Sequence, residues 1–144
     1  MKYLVGIVGV LFAVAAHAQM PDREKLIGSW TNSAAGESQA LWTIAAAGSD
    51  TIRITRVESG RTVEEVECNT AGRECATKED GKPVKVSIWF NGPKLVVMQV
   101  RGSEVVKRRF HATGDGGAMD VEIIPIVPQG KPEVLRLTRA PASH

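Results

Sequence analysis

Two cysteines, Cys68 and Cys75, bracket the stretch NTAGRE and are the only ones in the chain. Such a pair can hold metal, cycle between thiol and disulfide, or staple a turn. Zinc asks for four ligands, and beyond the first eighteen residues the histidines are His111 and the terminal His144 alone. No metal site is expected. A redox pair asks for CxxC with its thiolate tuned by a helix N-terminus, whereas six residues intervene here and the flanks read as strand. The expected state is a disulfide between Cys68 and Cys75.

Catalysis finds little chemistry to work with. GxSxG, HExxH and a phosphate-cradling glycine loop are all absent from the sequence, and no cofactor is expected. His111 borders the turn TGDGG, with Asp115 four positions on, and reads as a solvated residue at a strand end. Glu64 and Glu67 lie on opposite faces of a strand, so they cannot converge as a hydrolase pair would. No catalytic residue is assigned.

Compartment bears directly on the cysteines. The chain opens with Lys2, an apolar run from Tyr3 to Ala16, and Ala16-His17-Ala18, a small-x-small cleavage site. This pattern predicts a secretory signal over residues 1–18, and places the mature chain in an oxidising compartment, the periplasm, where a close cysteine pair closes on itself. The run is shorter than the roughly 20 residues a bilayer demands, so no membrane span is expected in the mature chain. About 126 residues then remain, enough for one domain with one core. Without Lys2, 17 basic residues face 16 acidic ones, too even a balance to argue for nucleic acid. The local clusters EEVE at 64–67 and KRRF at 107–110 read as solvated sheet faces, or as a cross-strand charge ladder.

The elements that must position these residues are almost all strands. PDREKLIG has Pro21, Asp22 and Glu24 early, Lys25 later and Gly28 last, the order of signals for a short helical lead-in over 19–28. After it come ten strand-like segments: SWTN, QALWTIAA, DTIRITRVE, RTVEEVEC, ECATKE, PVKVSIWF, KLVVMQVR, EVVKRRFHA, AMDVEIIPI and EVLRLTR. The joints between them are short and rich in Gly, Asp, Asn and Pro. A parallel crossover needs a dozen or more residues, so consecutive strands must pair antiparallel. Asn91-Gly92 is the strongest hairpin signal and predicts a type I′ turn. A meander of this length avoids raw edges by rolling up. An up-and-down barrel of eight to ten strands over residues 29–140 is therefore expected, with a tail at 141–144 and a β-sandwich as the alternative. IIPIVPQGKPEV spaces three prolines ahead of the last strand; proline removes ladder donors, which predicts a gap near Pro125 to Pro132.

LIGSWTN, residues 26–32, resembles the opening of a lipocalin-type, or calycin, barrel: a helical turn, then Gly-x-Trp on the first strand, then a meander. The mature chain is similar to small secreted lipocalin-like proteins of bacteria. In that family the tryptophan closes the barrel floor and an arginine of the final strand packs on it. The resemblance implies that role for Trp30, with Arg136 or Arg139 as the partner. These two arginines are three positions apart, so alternation lets only one of them reach the indole.

Alternation also assigns an inner face. It groups Trp42 with Ile44, Ile88 with Phe90, and Arg108 with Phe110, and Met98 is placed with them. Trp42, Ile88, Phe90, Met98, Arg108 and Phe110 are the candidate ligand-binding residues. Arg108 is either paired internally or free to take an anionic head, since a buried guanidinium must find an acceptor. The resulting expectation is a secreted barrel binding a small apolar or amphipathic molecule. The alternatives are an envelope interaction module with a filled core, or a lipocalin-like proteinase inhibitor using Gln19–Glu24 as an N-terminal trunk.

Overall fold

The computed structural model describes residues 23–32, 39–79 and 81–140. The expected signal segment, most of the lead-in and trunk, and the tail at 141–144 lie outside them. What is described of the lead-in is one 3-10 turn, Glu24–Leu26. Ile27 is already extended, because Leu26 must bury and the chain must enter the sheet. A single turn of helix cannot hold itself together without such packing.

Ten strands follow: β1 Gly28–Thr31, β2 Ala40–Ala46, β3 Thr51–Glu58, β4 Arg61–Asn69, β5 Ala71–Glu79, β6 Lys82–Asn91, β7 Lys94–Arg101, β8 Glu104–Ala112, β9 Ala118–Val127 and β10 Glu133–Arg139. Each pairs antiparallel with its neighbours in sequence, and β1 pairs with β10 through Trp30↔Arg139 and Thr31↔Thr138. The sheet is a closed ten-stranded meander barrel, not a sandwich. Its core is the inward phase of the strands, among them Ile44, Ile54, Val66, Ile88, Leu95, Val97, Phe110, Met119, Val121 and Leu137.

Several local expectations are corrected. Asn91 pairs with Lys94, so the β6–β7 loop is Gly92-Pro93, with Gly92 at φ 59°. Proline fixes φ near about −65°, which excludes it from the second central position of a type I′ turn. Glycine first in a two-residue loop is the II′ placement. No gap opens at the prolines. Pro125 pairs with Val106 beside a register shift, and β9 and β10 stay joined from Glu133↔Ile123 to Thr138↔Ala118. Pro128 and Pro132 fall in the connection, where no ladder donor is needed.

The thin seam lies instead between β4 and β5, where Glu65↔Lys78 is the one registered pair. β5 is polar and mostly exposed, so little cross-strand burial holds it to β4. Cys68 and Cys75 are disulfide-bonded across this seam, with Cα atoms 6.0 Å apart. The turn between them uses Gly72 at φ 80°. β4 is less polar than its composition suggests, because Val66 and Cys68 face the core.

The barrel floor is built around Trp30, which is fully buried and donates its indole N–H to the Leu26 carbonyl at 3.0 Å. Arg139 is the arginine that covers it, with Cζ 4.2 Å from the ring centroid. Its guanidinium donates to the carbonyls of Ile27, Lys25 and Gly116 at 2.9, 2.8 and 3.1 Å. Gly28 makes room for it: a Cβ there would collide with Arg139 Nη1, and its φ of 139° disfavours any side chain. Arg136 takes no part in closure. It faces outward and pairs with Asp120 at 2.6 Å.

Candidate ligand cavity

The barrel holds a cavity of about 340 Å³ beside Trp42, the cross-strand neighbour of Trp30. Its walls include Trp42 of β2, Arg56 and Glu58 of β3, Glu64 of β4, Glu79 of β5, Gln99 and Arg101 of β7, and Arg108 of β8. The inward phase that is aliphatic near the floor turns charged near the mouth. On β3 it runs Ile52, Ile54, Arg56, and on β4, read back from the turn, Cys68, Val66, Glu64.

Arg108 and Glu64 meet across the lumen. Arg108 Nη1 donates to Glu64 Oε2 at 3.0 Å and Nη2 donates to Oε1, a two-pronged contact between residues 3% and 5% exposed. Arg56, cross-strand neighbour of Glu64, donates its Nε to the same carboxylate at 3.3 Å. It also bonds Glu58 and approaches Glu79 at 3.8 Å. Glu79 is held by Arg101 and Gln99. Burial would push the Glu64 carboxyl up, but the guanidiniums of Arg108 and Arg56 outweigh it and hold Glu64 below its ordinary value. Three arginines and three glutamates thus line the cavity with no net charge.

Trp42 stands between two of these arginines. The Cζ atoms of Arg56 and Arg108 lie 5.3 and 5.8 Å from its ring centroid, within cation–π range. Phe110 meets it edge-on, with centroids 6.0 Å apart. Among the described residues the buried indole N–H of Trp42 has no hydrogen-bond partner, and neither do Arg108 Nε and Arg101 Nε.

Of the six candidate ligand-binding residues, the structure brings Trp42 and Arg108 to the cavity wall. Phe110 lies behind Trp42 in the core, and Ile88 is fully buried deeper in it. Phe90 sits near the floor end, beneath Arg23, whose Cζ is 4.2 Å from the ring centroid. Met98 is on the outer face. It registers with Ser87 and Lys107, while Val97 takes the inner position opposite Ile88 and Arg108. The charge clusters divide in the same way. Glu64 turns inward, against the solvated face expected for EEVE, and Arg108 turns inward on the face to which alternation assigned it. Glu67 and Arg109 form external ladders with Arg53 and Glu122, each at 2.7 Å. The alternation of β3 and β4 carried the signal for Arg56 and Glu64, but charge alone suggested solvent.

No known family profile matches the chain, and no curated protein does. Solved structures match along most of its length. A secretory abundant heat soluble protein from Ramazzottius varieornatus superposes with a TM-score of 0.68 at 10% identity, over 81% of this chain and 96% of that one. Fatty-acid-binding protein 1 of Echinococcus granulosus gives 0.68 at 10% identity, over 82% and 99%. The Schistosoma mansoni fatty acid binding protein, solved with arachidonic acid, gives 0.65 at 15% identity, over 83% and 99%. At these identities the likeness is one of architecture: the chain folds as a calycin-type, lipocalin-like β-barrel.

Proposed function

We propose that this protein is an exported, periplasmic carrier that holds a small hydrophobic or amphipathic molecule in the cavity of its barrel beside Trp42. The observation that carries the reading is the cavity of about 340 Å³ beside Trp42, within the range of roughly 300–1,000 Å³ typical of ligand sites. The fold supports it, since two of the similar structures are fatty-acid-binding proteins. So does the N-terminal sequence, which reads as an export signal. The reading is one of binding rather than catalysis, and in keeping with it each of the three carboxylates in the cavity is tied to an arginine.

Titration with octanoate and with methyl octanoate, followed by tryptophan fluorescence, tests the reading. Saturable quenching by either compound, lost in Trp42→Phe, supports it. Absence of any saturable change with both compounds refutes it.

A further inference from the structure

We infer that the cavity selects an uncharged ligand whose polar end presents a hydrogen-bond acceptor, such as an ester or ketone carbonyl, and that it turns carboxylates away. This rests on the carrier reading and goes beyond it by naming the ligand chemistry.

The cavity already contains its own anions. Arg108, the buried cation best placed to receive a carboxylate, has both terminal nitrogens on Glu64. Arg56 is shared among Glu58, Glu64 and Glu79, and Arg101 is held by Glu79. An incoming carboxylate would have to displace Glu64 from Arg108, leaving a 3% exposed acid short of a partner. Stripping one partner from a buried pair is costly. A cation fares no better, because the cavity's unsatisfied groups are donors.

Those donors define what does fit. The N–H of Trp42 and Nε of Arg108 belong to residues 5% exposed, and both residues line the cavity without a partner for these atoms among the described residues. Arg101 Nε, nearer the mouth, is a third. Among the described residues no carboxylate or amide oxygen of the wall is left buried and unsatisfied in this way. Buried donors demand acceptors, and charge balance demands that the acceptor be neutral. A carbonyl meets both conditions, with its apolar part against Val106, Ile123 and Leu135.

The experiment compares methyl octanoate with octanoate by calorimetry at neutral pH, on the native full-length mature protein and on Glu64→Gln. Wild type should bind the ester about tenfold or more tightly than the acid. Glu64→Gln frees one charge on Arg108 and should tighten octanoate by about tenfold or more, since charge-assisted bonds are the strong ones. Wild type binding the acid as tightly as the ester, or more so, overturns the inference while leaving the carrier reading in place. Failure of both compounds to bind overturns the carrier reading itself. The wild-type comparison decides the matter if Glu64→Gln does not fold.

Discussion

Glu64 and Arg108 lie 44 positions apart on strands that are not neighbours, yet they join through two hydrogen bonds across the barrel lumen. The pair separates an aliphatic floor from a charged mouth. It therefore couples the stability of the barrel to the chemistry of its cavity.

Arg108→Met should destabilise the protein by about 3 kcal/mol, because Glu64 stays buried with only part of its compensation. The double variant Glu64→Leu/Arg108→Met should recover most of that loss, since replacing both partners by apolar groups removes the unpaired charge. Urea unfolding of the two variants measures this. A double variant less stable than Arg108→Met contradicts it.

Acid should weaken the fold through Glu64. Its carboxyl is held below the ordinary value of 4.5 in the native state. A group lowered on folding contributes stability that is fully present above its unfolded value and is lost as pH falls through the folded one. Stability should therefore drop progressively below pH 4.5, and Glu64→Gln should show a shallower drop. Parallel pH profiles for the two proteins rule out the coupling.

The floor separates its two arginines. Arg139→Ala removes the cover of Trp30 and three hydrogen bonds to carbonyls, and should cost about 2–3 kcal/mol. Arg136→Ala removes an exposed pair with Asp120 and should cost at most about 1 kcal/mol. Gly28→Ala should behave like Arg139→Ala, because its Cβ would occupy the space of the guanidinium. Thermal unfolding ranks the three, and an Arg136→Ala protein less stable than Arg139→Ala reverses the assignment.

The disulfide should hold the sparsely paired seam between β4 and β5. Removing both sulfurs as Cys68→Ser/Cys75→Ser should cost about 2.5 kcal/mol on the chain-entropy account of a loop this size. Amide exchange should accelerate in β4 and β5 before it does elsewhere. A thiol assay finding two free thiols in the native protein, or uniform exchange in the variant, speaks against this role.

How much of this was legible beforehand depended on where two signals agreed. All ten strands were readable because turn residues and alternation coincided at nearly every joint. Trp30 and the final-strand arginine were visible as a motif, but only register shows that position 139 faces the indole and position 136 faces Asp120. Met98 was misplaced because KLVVMQVR is apolar on both faces, and Val96 is buried beneath the outer surface. The prolines misled because two of the three fall in a connection and the third sits beside a bulge. Glu64 was missed for a physical reason. A carboxylate inside a barrel is tolerable only when arginines from β3 and β8 meet it, and that meeting is a tertiary fact.

The most direct measurement is the NMR signal of the three indole N–H protons during titration with methyl octanoate. The Trp30 proton is committed to the Leu26 carbonyl, and Trp89 shares the outer face with Val96. The Trp42 proton lies at the cavity and has no partner among the described residues. The account predicts a saturable downfield shift of the Trp42 resonance alone, as its N–H acquires an acceptor. An unmoved Trp42 signal, with no shift or with shifts confined to Trp89, would contradict a ligand seated in this barrel.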